Sequence, residues 1–309
     1  MDDQARLTRR YKDALAALLE KLRQDRTVVA VLLGGSLSHD KVWSKSDIDL
    51  VVVVQDDAKR TPSYCLVEDG INIHAALMTR RRFRELVEGS LQSSFFNSFV
   101  AHGTLVHTTD ETLADLFEDI RRVGARDRDL HLLSSGGFLL YLLAKAEKWL
   151  TVKHDPCYSF VWALYCVGRI AEIEVVLAGQ VPGREVIDQA LRCNPELFGK
   201  LYVDFIHAPK DEPTLAAALG AINQYLEEKA RLLFAPILRY LEEEGGVRSA
   251  SEMDAYFAKQ VQQDSLSFAY EWLADQEILR KVSTGIRLTP RSSATVQEAA
   301  YYYDASEER

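Results

Sequence analysis

Two kinds of hydrophobic spacing divide the chain. Between residues 28 and 107 the apolar positions come in short, β-branched runs, whereas before and after them they recur every three or four residues. Val28 to Leu33 (VVAVLL) and Ile48 to Val54 (IDLVVVV) are continuous enough to be buried strands. Tyr64 to Val67 and Ile71 to Leu77 predict a β-hairpin turning at Asp69-Gly70, a dipeptide that accepts positive φ. A short strand near Thr104 to His107 follows. Ahead of the strands, residues 2 to 25 place Leu7, Tyr11, Leu15, Leu18, Leu19 and Leu22 on one side, which predicts an amphipathic helix packed on the sheet. From Asp110 the pattern turns helical: Leu113 to Val123, Leu130 to Val152, Tyr158 to Ala178, Gly183 to Cys193 and Leu215 to Glu243. The breaks at Asp155-Pro156, Gly179 to Pro182, Asn194-Pro195 and Pro209 to Pro213 are loop chemistry between packed antiparallel helices. After Gly245-Gly246, Ser251 to Gln262 predicts a helix with Ser251 and Asp254 at capping-box spacing, and Ser265 to Leu273 another. Leu279 to Leu288 and Ala294 to Tyr303 then predict two strands.

The chemistry concentrates at one place. The first strand runs into Gly34-Gly35-Ser36, and the second opens with Asp47-Ile48-Asp49. Glycines let backbone N–H groups approach a polyphosphate, Ser36 adds a hydroxyl, and a helix opening there would turn its positive end to the charge. Asp47 and Asp49 are two apart on a strand and so share a face. Two such carboxylates repel unless a cation lies between them, and Mg²⁺ held by carboxylates and substrate phosphates is the usual resolution.

The string GGSLSHDKVWSKSDIDLVVV resembles the signature of the DNA polymerase β-like nucleotidyltransferases: Gly-Gly or Gly-Ser, a gap of roughly ten residues, then Asp-x-Asp. Relatives in that superfamily include kanamycin nucleotidyltransferase and the minimal nucleotidyltransferases. The resemblance implies that Gly34, Gly35 and Ser36 hold the phosphates of an NTP such as ATP, that Asp47 and Asp49 hold Mg²⁺ or Mn²⁺, and that a nucleoside monophosphate passes to an acceptor hydroxyl. It also implies a third carboxylate on a following strand, and here the chain departs. On INIHAALM that slot holds His74, with Asn72 on the same side. Three readings stay open: His74 is the base or a metal ligand, since imidazole readily exchanges protons; a helical residue such as Glu147 is the base; or the site binds nucleotide and transfers nothing. A toxin-like enzyme acting on RNA or protein would share the same site.

These readings give an α+β fold in three parts. Residues 1–110 are a nucleotidyltransferase-type mixed sheet with flanking helices, 111–244 a helical bundle, and 245–309 a module whose helix, helix, helix, hairpin order is that of a winged helix. A trailing helix-turn-helix module of this kind resembles that of some bacterial nucleotidyltransferase-like proteins. In the resemblance the bundle closes over the nucleotide and supplies part of the acceptor pocket. Within it, Lys145 and Lys148 share a helix face and could reach the triphosphate, although solvated charge on a helix explains them as well. The run Arg80-Arg81-Arg82-Phe83-Arg84 is open to the same two explanations.

Composition narrows the partners. The 309 residues are 47% hydrophobic and 27% charged with a formal net charge of −9, which disfavours a protein that coats nucleic acid. The segment that would enter a DNA groove, DSLSFAYEWLADQEI, has no Lys or Arg, so nucleic-acid binding is not the favoured reading. Only the following hairpin is basic, with Arg280, Lys281, Arg287 and Arg291. The charged N-terminus and the interruption of apolar stretches by Arg169, Glu172 and Glu174 argue against a membrane span. Cys65, Cys157, Cys166 and Cys193 are scattered without zinc spacing, which suggests reduced thiols and a cytoplasmic protein. The competing class is a catalytically silent nucleotide-binding regulator acting through the C-terminal module.

Overall fold

The computed structural model describes residues 3–39, 42–56, 62–89, 95–120, 125–258, 260–261, 265–289 and 291–304. The chain divides into two compact units, Met1–Val123 and Gly124–Arg309, each with its own hydrophobic core.

In the first unit, α1 (Asp3–Arg23) leads into a sheet formed by β1 (Val28–Gly34), β2 (Ile48–Val54), β3 (Ser63–Glu68), β4 (Ile71–Thr79) and β5 (Thr104–Thr108). Their order is β3-β4-β2-β1-β5, with β2 and β4 parallel and the other neighbours antiparallel. Asp69 (φ 49°) and Gly70 (φ 72°) make the tight turn between β3 and β4, as their identity predicts. The two sheet faces follow from the period-two alternation. One face carries Ile48, Leu50, Val52, Val54, Ile71, Ile73 and Ala75, all buried with Tyr11, Leu15, Leu18 and Leu19 of α1.

Among the described residues the other face is covered over only part of its length. Val51, Val53 and Met78 are buried with Phe83 of α2 (Arg80–Gly89), Val100 of α3 (Phe95–His102), and Leu113 and Phe117 of α4 (Glu111–Ile120). Asp110 caps α4, accepting from the Thr112 backbone N–H (3.0 Å) and hydroxyl (2.7 Å). It also pairs with the Arg80 guanidinium, and Arg80 and Arg84 both donate to the Thr112 hydroxyl (3.1 and 2.7 Å). Arg81 and Arg82 reach Glu85 on their own helix (3.8 and 3.5 Å). The arginine run thus ties α2 to the start of α4.

The second unit begins with α5 (Ala125–Thr151), α6 (Pro156–Leu177), α7 (Val186–Cys193), α8 (Pro195–Phe198), a π-helical turn (Gly199–Asp204), α9 (Phe205–His207), α10 (Glu212–Leu233) and α11 (Ala235–Glu244). Asp155, Asn194 and Asp211 cap α6, α8 and α10, each just ahead of a proline in the first turn. The single helix expected over Leu215 to Glu243 is instead two, α10 and α11, parted at Phe234. Pro236 has no N–H to continue the ladder, so the chain restarts with proline in the first turn of α11. Inside the bundle the carboxylate of Glu174 accepts from the Tyr225 hydroxyl (2.8 Å) and the Asn194 amide (2.8 Å), with Lys229 at 3.5 Å. No described helix is long and apolar enough to cross a membrane.

β6 (Arg248–Ser249), α12 (Ala250–Phe257), α13 (Ser267–Asp275), β7 (Arg280–Ile286) and β8 (Val296–Tyr302) complete the unit, the strands in the order β6-β8-β7. The cap of α12 is Ser249 with Glu252, not Ser251 with Asp254. Ser249 is the last residue of β6 and already extended, as a cap must be. Asp254 is used otherwise, accepting from Leu266 N–H and Tyr270 hydroxyl, both at 3.0 Å. Met253, Phe257, Tyr270, Leu273 and Tyr301 join the same core as the bundle residues, with Trp272 packed on Phe234. A stretch this short has little apolar surface for a core of its own.

Candidate functional site

The glycine turn and the first carboxylates meet at the end of β1. Gly34 is the register partner of Asp49. A Cβ on Gly34 would collide with the Phe99 ring, and one on Gly35 with the Asp49 carboxylate; Gly35 also has φ +69°. Both glycines are therefore demanded by the fold's own packing, and the close approach of Asp49 to the turn depends on Gly35. The described residues that follow are not α-helical. Ser36–His39 is one 3₁₀ turn, closed by the Ser38 hydroxyl donating to the Gly35 carbonyl (2.7 Å) and held down by buried Leu37. Such a side-chain bond competes with helical propagation, so Ser36, expected to open an α-helix, opens a 3₁₀ turn instead.

Asp47 stands just before β2, on a loop fixed by α1. The Tyr11 hydroxyl donates to the Ser46 carbonyl (2.7 Å) and lies 3.3 Å from that of Trp43. The Gln4 amide donates to Val42 (2.5 Å), and the Trp43 N–H to the Ser46 hydroxyl (3.0 Å). In the sequence Tyr11 belongs to the apolar stripe of α1. A tyrosine there, unlike a leucine, carries a hydroxyl that needs a partner when the ring is buried, and that was the available signal.

His74 lies on β4 beside Asp49 in register, and Cys65 on β3 is its other neighbour. Its Nδ1 is 3.7 Å from an Asp49 oxygen and its Nε2 3.9 Å from an Asp47 oxygen, too long for hydrogen bonds. The His74 side chain is 52% exposed and each aspartate 37%. Asn72, Cys65 and Val67 continue this open side of the sheet and are themselves exposed.

Among the described residues no group of three or more His, Cys, Asp or Glu is arranged to hold a metal by itself. The donor set nevertheless suits a hard divalent ion that takes one or two carboxylates and completes its shell from phosphate oxygens and water.

The remaining candidates lie on α5 in the second unit. Lys145 has its ammonium 5.1 Å from the Tyr141 ring, Lys148 is exposed, and Glu147 accepts from the Asn223 amide at 2.8 Å. Glu147 also helps burial push the Cys166 thiol up to about 12, burial being the larger cause.

Residues 15–107 match the family described as nucleotidyltransferase domain. Among solved structures, a nucleotidyltransferase-like protein from Exiguobacterium sibiricum superposes with a TM-score of 0.63 at 16% identity, over 95% of this chain and 99% of that one. At that identity the likeness establishes a shared fold. No curated protein matches the sequence.

Proposed function

We propose that the protein, whose residues 15–107 match the nucleotidyltransferase domain family, moves a nucleoside monophosphate from an NTP to an acceptor hydroxyl and releases pyrophosphate. The observation that carries this reading is the grouping of Asp47, Asp49 and His74 beside the Gly34-Gly35 turn on the open half of a sheet face. A divalent ion, Mg²⁺ or Mn²⁺, would supply charge neutralisation for the triphosphate there. Asp47 and Asp49 would hold it, on a loop and strand already fixed by Tyr11 and Gly35. The left-handed turn at Gly35 brings backbone N–H groups within reach of phosphate oxygens, with the Ser36 hydroxyl as a further donor.

We assign the acceptor's proton to His74. It stands in register with Asp49, whereas the Glu147 carboxylate is engaged by Asn223. As the acceptor oxygen bonds to the α-phosphorus and the bond to pyrophosphate breaks, the hydroxyl proton passes to the imidazole. Positioning and charge neutralisation account for most of the rate in this class of reaction.

One observation favours a second reading. An imidazole replaces a carboxylate at the strand position next to Asp49, which suits a silent nucleotide sensor. In that reading residues 245–309, ordered like a winged helix, carry the output to a partner. Pyrophosphate release from ATP, GTP, CTP and UTP with Mg²⁺, over a panel of sugar, RNA and protein acceptors, separates the two. The enzyme reading expects release with at least one pair and a loss of about a thousandfold in Asp49→Asn. NTP binding without release for any acceptor would favour the sensor.

A further inference from the structure

The hairpin of the second unit ends in an edge strand that is complementary to itself. In the sheet order β6-β8-β7, β7 has, among the described residues, a hydrogen-bonded neighbour on one side only. Arg280 to Ser283 are all exposed, and Thr284 and Ile286 are half-exposed. Proteins blunt such edges with charge along the strand, with proline or with a bulge. Here the seven residues RKVSTGI contain no proline, pair with β8 in unbroken register, and carry charge only at the first two positions.

That distribution selects a partner. We propose that β7 pairs antiparallel with β7 of a second copy of this chain, in the register centred on Ser283. In that register Ser283 meets Ser283, Val282 meets Thr284, Lys281 meets Gly285 and Arg280 meets Ile286. No two like charges face each other, and two Val–Thr pairs of β-branched residues form, a favourable cross-strand combination. A register centred on Lys281 or Arg280 would set cation directly against cation. The charge at one end disfavours the registers centred on Arg280 and Lys281, and of those that remain the one centred on Ser283 is the one that uses the whole strand.

The apolar surface agrees with this. Val282, Thr284 and Ile286 share a side of the hairpin with Val296, the register partner of Ile286. Val282 is 38% exposed, Val296 39% and nearby Leu288 75%, an unusual concentration for a short hairpin. Across the two-fold axis the two strips become one continuous face on a six-stranded sheet. The interface is isologous and closed, so it ends at a dimer. The Lys281–Glu271 pair (2.6 Å) lies within one protomer and keeps the ammonium occupied next to the axis.

Analytical ultracentrifugation of the full chain over a concentration series tests this with a charge exchange at the axis. Ser283 is exposed, so Ser283→Glu and Ser283→Lys should fold, with unchanged circular dichroism and melting temperature. The wild type should reach a dimer. Each variant alone should associate several-fold more weakly, because two like charges meet across the axis, and an equimolar mixture of the two should recover the dimer. A wild type that stays monomeric throughout overturns the proposal. So does a dimer indifferent to both substitutions, and a mixture no tighter than either variant alone rejects the register centred on Ser283.

Discussion

One face of the five-stranded sheet changes character halfway along the same strands. On β2 the side chains run Asp49, Val51, Val53, and on β4 they run Asn72, His74, Ala76, Met78. The far half is roofed by Phe83, Val100, Leu113 and Phe117; among the described residues the near half is covered at Gly34 by the Phe99 ring, and it carries the part-exposed aspartates and the imidazole. The backbone pairing is continuous across the change. What differs is the helix cover, so rigidity is built into one half and the candidate site lies on the other, with register transmitting position between them. This division suits reacting groups that must be both fixed and reachable.

The largest effect should come from breaking the open half. His74→Ala is expected to lower turnover about a hundredfold or more while leaving NTP affinity and the melting temperature close to wild type, measured by pyrophosphate release and thermal unfolding. His74→Asp sharpens the point, since it places a carboxylate where the superfamily resemblance expects one, and it should retain activity that His74→Ala loses. The covered half should respond in the opposite way. Phe83 is 1% exposed, and Phe83→Ala should cost about 3–5 kcal/mol of unfolding free energy, read by denaturant titration, with NTP affinity of the remaining folded protein unchanged.

A smaller, pH-dependent effect should appear where α2 is tied to α4. The Arg80 hydrogen bond, with further help from Thr112, holds the Asp110 carboxyl down at about 2 from an ordinary 3.8. Unfolded Asp110 takes up its proton at a higher pH than the folded group. Its contribution to stability is therefore complete above pH about 4 and is lost as the pH falls toward about 2. Asp110→Asn should flatten the acid limb of the stability curve in that window and leave the neutral-pH nucleotide affinity unchanged.

The sheet and its two carboxylates were legible in the sequence because their signals are local. Period-two alternation fixes which of Ile48, Asp49 and Leu50 share a face, and Asp69-Gly70 fixes the hairpin that brings His74 beside Asp49. The same locality explains the misses. Ser36 has the signals of an α-helix start, but the Ser38 hydroxyl bond and buried Leu37 go with a 3₁₀ turn over Ser36–His39. Gly34 looked like a ligand-approach glycine, yet Phe99, 65 positions away, already requires it. Tyr11 was an apolar position until folding brought the Ser46 carbonyl to its hydroxyl. Pro236 signals the break between α10 and α11 and was passed over within a strong helical pattern. The sharing of one core by Phe257, Tyr270 and the bundle residues is a long-range packing outcome to which no spacing rule points.

The central claim is that Asp47 and Asp49, on the open half of the face, make a metal-dependent nucleotide site. Calorimetric titration of ATP, GTP, CTP and UTP into the wild type and into Asp47→Ala/Asp49→Ala, first in Mg²⁺ and then in EDTA, tests it without knowledge of the acceptor. The account predicts saturable binding of at least one NTP in Mg²⁺, lost in EDTA and lost in the double variant while its fold is retained. Equal binding by wild type and double variant, or no binding of any NTP to the wild type in Mg²⁺, would contradict it.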